Sequence, residues 1–294
     1  MPELPDITVY VESIERLLEG AVLNKVLLPN VFLLRTFDPP VSALEGKCLQ
    51  RVERLGKRIV LGFEGDMFAV IHLMIAGRFK WFTSGSKVPF TKLVMARFEF
   101  DRGTLVVTEA GTKRRASLHV LRGRDALAAH DPGGIDPLTC TSSEFALQLQ
   151  RENHTLKRAL TDPRSFSGIG NAYSDEILHR AQLSPFALSQ KLAAPEVARL
   201  HAAMRDVMDE WLARLRAEAA SAFPEKVTAF RPEMAVHGKF KQPCPVCGTL
   251  VQRIVYAENE CNYCPVCQTG GRLLADRALS RLLKASWPKR VDDL

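Results

Sequence analysis

Two Cys-x-x-Cys pairs near the C-terminal end constrain the fold of this chain more than any other feature. Cys244 and Cys247 form the first pair, Cys264 and Cys267 form the second, and 16 residues separate the pairs. Four cysteines at this spacing are typical of a structural zinc site in which protein ligands close the tetrahedron. A module of about 30 residues buries too little apolar surface to fold alone, so the metal supplies its stability. The sequence therefore predicts one structural Zn²⁺.

Cys261 leaves an alternative open, because Cys261-x-x-Cys264 is also a Cys-x-x-Cys pair. Both preferred pairs have the form Cys-Pro-Val-Cys, and this repetition favours Cys264 and Cys267 as ligands. Disulfides are disfavoured because no secretion signal is visible: the first six residues are acidic and include two prolines. We therefore expect a cytoplasmic protein associated with the nucleoid.

Charge and apolar patterning narrow the kind of partner. Lys and Arg number 40 against 33 Asp and Glu, which gives a formal net charge of +7. A positive field speeds encounter with polyanions, so nucleic acid is the leading partner. The longest apolar runs, such as Phe68 to Leu73, are far shorter than the ~18 residues of a membrane span. The expectation from composition is a nucleic-acid-binding protein without a membrane segment.

The order of local patterns predicts an α+β chain of several domains. Apolar positions at helical spacing over Ile7–Leu18 predict an N-terminal helix. Short β-rich runs between Gly-containing turns then fit an antiparallel sandwich. These runs are Val22–Leu28, Arg58–Phe63, Met67–Leu73, Phe79–Phe82, Val94–Phe100 and Thr104–Thr108. The expected domains are a β-sandwich at 1–129, a linker at 130–141, a helical domain at 142–235, a zinc finger at 236–269 and an extension at 270–294.

Two helices of the C-terminal half have distinct patterns. A long helix fits Pro195–Ala220, which is rich in Ala, Leu, Arg and Glu. In the extension, leucines alternate with Arg and Lys over Leu273–Lys284 and indicate a basic amphipathic helix. The plainer interpretation of the second helix is that it packs on the body with its basic face in water.

The first residues carry a candidate nucleophile. A small residue after Met1 permits removal of the initiator methionine, which leaves a secondary amine on Pro2. An α-amino group has a pKa of about 7.7–8.0, so its neutral form is present near physiological pH and can attack a sugar carbon to form an iminium. Glu3 is placed to donate or accept a proton at the sugar ring oxygen. The alternative is a disordered terminus without function.

Met1-Pro-Glu-Leu-Pro-Asp6 resembles the start of the formamidopyrimidine-DNA glycosylase/endonuclease VIII family. Further motifs resemble the family in the same order up to residue 268. They are Gly56-Lys57-Arg58, His72-Leu73, Gly134-Ile-Asp-Pro-Leu138, Gly168-Ile-Gly-Asn-Ala-Tyr-Ser-Asp-Glu176, Leu183-Ser-Pro185 and the cysteine spacing. The resemblance implies a helix packed on a β-sandwich, a helix–two-turns–helix domain and a zinc finger. It also implies a DNA glycosylase/AP lyase of base excision repair.

The resemblance assigns roles to several residues. Lys57 would assist β-elimination and contact phosphate, while His72 and Asn171 would grip the DNA backbone. Gly168 and Gly170 would expose backbone amides beside Asn171 at a helix start, where a phosphate fits. Lys157, Arg158 and Arg164 on the preceding segment favour this DNA-binding interpretation. On the residues alone, His72 also fits a satisfied histidine ending an apolar strand, and the glycine segment also fits a tight structural turn.

Four departures from the family bear on the substrate. Asp6 stands where the family commonly has Glu, and Asn259 stands where the finger usually carries an arginine that clamps the lesion phosphate. Glu109–Ala116 lacks the Arg-Phe pair that fills the gap left by an everted base. The stretch 220–236 is short for the loop that closes over 8-oxoguanine. The last two departures favour oxidised pyrimidines or abasic sites over 8-oxoguanine.

Other side chains remain candidates for the contacts that the missing pair would make. Met74 or Ile75 is an apolar side chain that can insert between bases. Arg114 and Arg115 are candidates for reading the opposite strand or holding phosphates. β-Elimination is expected, and δ-elimination is left open.

Three classes of function compete. The first is the DNA glycosylase/AP lyase described above. The second is a catalytically weakened protein of the same fold that binds damaged DNA without turnover, with Asp6 and Asn259 as marks of an altered site. The third is a zinc-ribbon factor that uses the finger and the basic tail. It explains neither the N-terminus nor the segment Gly168–Glu176.

Overall fold

The computed structural model describes residues 1–89, 91–111, 113–225, 227–228, 230–256, 259–275, 281–282 and 288–293. The chain divides into two compact units. Unit 1 comprises Met1–Pro132 and Trp211–Ala229, and unit 2 comprises Gly133–Glu210 and Phe230–Leu294. The predicted fold class is confirmed: a helix with antiparallel sheets is followed by a helical region and a C-terminal cysteine module.

Unit 1 begins with helix α1, Leu4–Leu18. Its apolar stripe, which includes Ile7, Tyr10 and Ile14, is fully buried. The helix begins three residues before the predicted start at Ile7, because proline is tolerated in a first helical turn and Glu3 caps the helix. The nucleophile candidate Pro2 therefore lies immediately before the N-cap.

Two four-stranded antiparallel sheets follow. The first has the order β1-β6-β7-β5 and the second has the order β2-β3-β4-β8. The strands are β1 (Leu23–Leu27), β2 (Leu49–Leu55), β3 (Arg58–Phe63), β4 (Met67–His72), β5 (Gly77–Thr83), β6 (Val94–Phe100), β7 (Gly103–Glu109) and β8 (Ser117–Arg122). All six predicted runs form strands, whereas β2 and β8 were not predicted.

The two faces of the second sheet have different surroundings. Inward-facing residues such as Ile59, Leu61 and Ile71 join the core shared with α1 and the first sheet. Helix α2, Arg124–Ala128, packs on the opposite face, where Leu127 contacts a smaller apolar cluster. The second sheet is thus buried on both faces, which explains why β3 and β4 read as nearly continuous apolar runs.

Unit 2 contains short helices and the cysteine module. The helices are α3 (Ser142–Gln150), α4 (Leu156–Thr161), α5 (Asn171–Arg180) and the long α6 (Ala194–Ala219), whose last residues belong to unit 1. The module holds the hairpin β9 (Gln252–Tyr256) and β10 (Asn259–Tyr263), followed by α7 (Pro265–Thr269). Thr141 caps α3 in a reciprocal capping box with Glu144.

Two predictions concern the ends and the environment of the chain. Within the segment Leu273–Lys284, where a basic helix was predicted, residues 273–275 are not helical and residues 281–282 are helical. Residues 276–280 and 283–284 lie outside the described residues. No helix in the described part of the chain is both long and apolar enough to cross a bilayer.

Candidate functional site

The N-terminal residues are ordered by helix α1. Pro2 and Glu3 are buried, and only 2% of Glu3 is exposed. Glu3 is the N-cap residue, and Asp6 Oδ2 accepts a hydrogen bond from the Glu3 backbone N–H at 3.0 Å. Asp6, the departure from the family's Glu, is 1% exposed and completes a capping box with Glu3. The carboxylate of residue 6 thus holds the segment that carries Pro2 and Glu3.

The amino group at this end lies among charged side chains. Burial lowers the pKa of the Met1 amino group below its ordinary value of 8.0. Glu3 and Asp6 oppose this shift, while Arg78 and Lys57 add to it. Removal of Met1 moves the terminal amine one residue inward, to the buried Pro2. Burial of the chain terminus therefore favours the neutral amine over the ammonium form.

Lys57 and His72 lie at one end of the second sheet. Lys57 occupies the turn between β2 and β3, and its neighbour Arg58 pairs with His72 across β3 and β4. Burial, followed by Arg58 and Lys57, lowers the pKa of His72 to about 4. His72 is therefore neutral at physiological pH and can donate an N–H to an anion without carrying a charge itself. Lys57 thus acts electrostatically on both the amino terminus and His72.

The turn after His72 presents an apolar side chain. Met74 has a φ of +53°, and the Gly77 N–H donates to Leu73 O at 2.9 Å. A Cβ on Gly77 would lie 2.2 Å from Leu73 O, so this tight turn requires glycine. Ile75 is 55% exposed at the tip, whereas Met74 is only half-exposed. Of the two wedge candidates, Ile75 has the more accessible side chain.

Arg78 braces this turn and was not among the predicted site residues. Its Nη1 donates to Ile75 O at 3.1 Å and to Gly77 O at 2.6 Å. Burial is the largest cause of the lowered pKa of the amino terminus, and the same guanidinium lowers it further, against the opposing effect of Glu3. No local pattern identifies Arg78, because its partners are backbone carbonyls of a turn.

Glu109 anchors the loop that carries Arg114 and Arg115. The Glu109 carboxylate is 1% exposed and accepts hydrogen bonds from the N–H groups of Arg115, at 2.8 Å, and Ala116, at 3.3 Å. Arg114 and Arg115 are exposed, and Arg114 Nη2 donates to Lys92 O at 2.6 Å. The loop thus presents two cations from a fixed base.

Asn171 begins helix α5, and Gly170 is its N-cap. Gly168 has a φ of +88°, a backbone conformation that glycine adopts readily. Asn171 is half-buried, and the first amides of α5 form the type of N-terminus that attracts a phosphate. These features agree with both earlier interpretations, a phosphate site and a tight structural turn.

Lys157, one of the three basic residues that favoured DNA binding at this segment, is buried. Its side chain is 7% exposed, and its Nζ donates to Asn171 O at 2.6 Å and to Asp175 Oδ1 at 2.5 Å. Arg164 is exposed but pairs with Asp162 at 2.7 Å. Lys157 therefore holds the start of α5 in place and is not available to DNA.

Two acidic residues of α5 tie this helix to the cysteine module. Glu176 accepts hydrogen bonds from the backbone N–H groups of residues 235–237 at 2.7–2.9 Å. Asp175 accepts from His237 Nδ1 at 2.8 Å and from the Asn262 N–H at 3.1 Å. Burial opposes ionisation, but Lys157 and His237 outweigh it and hold the pKa of Asp175 below its ordinary value. The helix that bears Asn171 is thus bonded to the hairpin strand β10.

Cys244, Cys247, Cys264 and Cys267 bring their sulfur atoms within 4.8 Å of one another. The Cys247–Cys264 and Cys244–Cys267 sulfur distances are 3.4 and 3.9 Å. Four thiolates at about 2.3 Å from one ion lie about 3.8 Å apart, so the cluster fits a tetrahedral metal. Cys261 is not part of this group; it is 1% exposed and lies near Asp175 and Tyr256.

Two further contacts surround the cluster and its hairpin. His179 of α5 lies with Nε2 3.3 Å from Cys244 Sγ, where its ring can hydrogen-bond to this sulfur and orient it. On the hairpin, Arg253 packs over the Phe240 ring at 4.4 Å and pairs with Glu260 at 3.3 Å. Asn259, which replaces the family's arginine, is exposed at the start of β10.

Comparisons with known proteins agree with this architecture. The chain matches the formamidopyrimidine-DNA glycosylase N-terminal domain over residues 1–117 and the H2TH domain of the same glycosylase over residues 134–220. The first match covers Pro2, Glu3, Lys57 and His72, and the second covers the Gly168–Asn171 segment.

Two relatives, one matching most of this chain and one matching half of it, carry related names. A formamidopyrimidine-DNA glycosylase of Exiguobacterium sibiricum is 30% identical over 280 residues, which cover 91% of this chain and 99% of the relative. An uncharacterized formamidopyrimidine-DNA glycosylase-like protein of Mycobacterium tuberculosis is 42% identical over 152 residues, which cover 51% of this chain and 94% of the relative. The chain therefore belongs to the formamidopyrimidine-DNA glycosylase family.

A solved structure shares the fold. Lactococcus lactis Fpg, in complex with DNA that contains an abasic site, aligns with a TM-score of 0.79. The alignment covers 91% of this chain and 99% of that protein, at 21% sequence identity.

Proposed function

We propose that this chain is a bifunctional DNA glycosylase/AP lyase of base excision repair. The observation that carries the proposal is the buried N-terminus, where Pro2 and Glu3 lie beside Lys57 and Arg78. Burial and two cations favour the neutral amine that a nucleophile requires. Membership of the glycosylase family supports the assignment.

The reaction begins when a damaged nucleotide leaves the base stack and its C1′ meets the Pro2 amine. The amine forms a bond to C1′, the damaged base departs, and Glu3 protonates the sugar ring oxygen as the ring opens to an iminium. Loss of a C2′ proton then breaks the C3′–oxygen bond and releases the 3′ phosphate, which is β-elimination. Lys57 assists this step, and δ-elimination is a further step that the residues leave open.

Damaged double-stranded DNA is the proposed partner, bound by a monomer without a small-molecule cofactor. His72, Lys57 and the helix start at Gly168, Gly170 and Asn171 grip the backbone. Arg114 and Arg115 face solvent on an anchored loop and fit contacts to phosphate or to the opposite strand. The proposed location is the cytoplasm, at the nucleoid.

One structural Zn²⁺ is the proposed occupant of the cysteine cluster. Four sulfur atoms at the spacing of a tetrahedral site, one of them within hydrogen-bond distance of His179, suit this ion. When bound, zinc supplies folding stability and no catalytic step. Cys244, Cys247, Cys264 and Cys267 are the ligands.

Oxidised pyrimidines or abasic sites are the proposed substrates in preference to 8-oxoguanine. The Glu109–Ala116 loop has no aromatic wedge, which leaves Ile75 as the exposed apolar side chain at the turn. A single small wedge fills less of the gap than the three side chains of the 8-oxoguanine enzymes. Duplexes that each contain one defined lesion, assayed for excision, test this preference directly.

A catalytically weakened damage-binding protein is the second candidate, because Asn259 replaces the arginine of the finger. Borohydride trapping separates the two functions, because borohydride reduces an iminium to a stable amine. A covalent protein–DNA adduct that disappears in Pro2→Gly supports lyase chemistry. Tight DNA binding without an adduct supports the second candidate and contradicts the first.

A further inference from the structure

The outer face of the second sheet has an apolar end and a cationic end. At the apolar end, the residues that α2 covers are Val60, Phe68, Val70 and Leu121, with Leu127 from the helix itself. Toward the other end, the same face continues through polar residues, because side chains two apart on a strand share a face. The strand register places Arg58 beside His72 and His72 beside Ser117, with His119 two residues further along β8.

Arg58, His119 and His130 lie close together at this cationic end, and none of them has a role in the proposed function. The His119 and His130 rings contact each other, with centroids 4.7 Å apart and planes at 63°. Arg58 Nη1 donates to His130 O at 3.1 Å, which joins β3 to the segment after α2. All three side chains are half-buried and retain accessible surface. We call Arg58, His119 and His130 the outer-face cluster.

Positive charge dominates the surroundings of this cluster. Burial lowers the pKa of His119 and of His130, and Arg58 lowers both further. Arg35 also acts on His119, and Lys57 and Arg58 act on His72 at the adjacent position. Asp131 is the carboxylate that acts on Arg58, and it is exposed. Two imidazoles lie close to several cations, and the acid that acts on Arg58 is exposed to solvent. Such a site favours the binding of an anion.

We propose that the outer-face cluster is a second backbone-phosphate subsite that binds a DNA phosphodiester next to the one held at Lys57 and His72. Cross-strand neighbours in a sheet lie about 5 Å apart, so Arg58 is within reach of the phosphate that follows the one at His72. Guanidinium and imidazole N–H groups are suited to phosphate oxygens. This inference depends on DNA being the ligand, as in the proposed function, and extends the DNA contact surface along β3 and β8.

Bound phosphate favours the protonated form of a histidine, so DNA binding takes up protons at His119 and His130. Proton uptake makes binding tighter as the pH falls, by up to about tenfold per histidine per pH unit. Lys57, Arg58, Arg35 and the Asp131 carboxylate are the other charged groups that act on the cluster or on the adjacent His72. His72 remains neutral in this range because its pKa is about 4.

The test is fluorescence anisotropy of the full chain with a labelled duplex that contains a non-cleavable tetrahydrofuran abasic analogue, at fixed ionic strength. For each protein, the ratio of Kd at pH 8 to Kd at pH 6 is measured. We expect this ratio to be at least about three times larger for wild type than for the double variant His119→Gln/His130→Gln. Arg58→Gln lowers the slope of log Kd against log salt by about one. Identical pH dependence in wild type and the double variant, with an unchanged salt slope in Arg58→Gln, overturns the proposal.

Control variants show whether a change in DNA binding comes from the substituted group or from a folding defect. His154→Gln removes a histidine of unit 2 that pairs with Glu152, and it leaves the pH dependence at the wild-type value. Arg58→Lys keeps the charge and retains the salt slope. Circular dichroism melts identify variants that fail to fold, and a melting temperature near wild type is required of each variant compared.

Inorganic phosphate distinguishes the source of the anion. NMR of the histidine Cε1–H signals reports phosphate binding at His119 and His130. If inorganic phosphate shifts these signals while the double variant binds DNA like wild type, the cluster takes a free anion and the DNA subsite is wrong. Borohydride trapping by wild-type protein is scored separately, so failure of the lyase assignment and failure of the subsite give different results.

Discussion

The two units differ in how their buried charged groups are paired with other residues. In unit 1, Lys57 and Arg78 are half-buried near an amino group whose pKa is lowered by burial, and both cations add to that shift. In unit 2, Asp175 is fully buried and bonded to Lys157, His237 and Asn262. The first arrangement leaves groups able to change protonation or partner. The second arrangement cross-links α5 to the cysteine module.

This difference separates residues that influence the reaction from residues that stabilise the fold. A buried charge with every partner in place contributes rigidity, and loss of one partner leaves the other uncompensated. Half-buried cations near an amine tune its reactivity without fixing the fold. Substitutions in unit 1 should therefore change rates, and substitutions in the Asp175 network should change stability.

The cysteine cluster gives the largest expected effect on stability. Cys267→Ser removes one ligand, so the metal content measured by elemental mass spectrometry should fall from one ion per chain to well below one. A structural zinc contributes on the order of 10 kcal/mol of folding free energy in small fingers, so the cysteine module of unit 2 should unfold. The matched control is Cys261→Ala, which keeps one ion per chain. Loss of metal in Cys261→Ala but not in Cys267→Ser contradicts the ligand assignment.

Glu3→Gln should affect rate far more than stability. The amide keeps the size of the N-cap side chain but cannot protonate the sugar ring oxygen, so base excision should slow by about 10²–10⁴-fold. Single-turnover excision from an oxidised-pyrimidine duplex measures the rate, and a thermal melt measures the fold. A near-normal rate removes Glu3 from the reaction.

Asp175→Asn should affect stability more than any surface pair does. Lys157 then keeps a buried charge without its carboxylate, which costs about 3–5 kcal/mol. Glu210→Gln is the control, because its pair with Arg180 is nearly half exposed on both sides and contributes under about 1 kcal/mol. Urea unfolding followed by circular dichroism compares the two. Equal losses would show that the buried network holds no more than the surface pair.

The smallest expected effect is a shift in pH dependence. Arg78→Met removes a cation that helps to lower the pKa of the terminal amine, so that pKa rises. The rate of borohydride trapping falls on acidification as the amine takes up a proton, and this decline should move upward by about half a pH unit. Arg78→Lys retains the charge and the wild-type profile, although it loses the hydrogen bonds to Ile75 O and Gly77 O. An unmoved profile in Arg78→Met contradicts the electrostatic role.

The sequence predicted the fold because each main element has a strong local pattern. Strands β2 and β8 were missed because charged residues interrupt their apolar alternation, as in Arg51 and Glu53 of β2. Cross-strand pairing supplies the stability that local propensity does not show.

The site was predicted where motifs carry it and missed where tertiary contacts decide. Pro2, Glu3 and the four clustered cysteines were selected by position and spacing, and Lys57 was selected by the family resemblance; their roles stay predictions. Lys157 was counted among the basic residues that favour DNA binding, but it is buried against Asp175, and this burial depends on how α4 and α5 pack. Arg78 and Glu109 were missed because backbone groups of distant turns are their partners.

The most direct test of the account is to identify the atom that bonds to DNA. Wild-type protein is trapped with borohydride on an abasic-site duplex, digested, and sequenced by mass spectrometry. We expect the DNA remnant on the nitrogen of Pro2 in a chain that lacks Met1. Retention of Met1 in fully active protein, or a remnant on Lys57 alone, contradicts the mechanism.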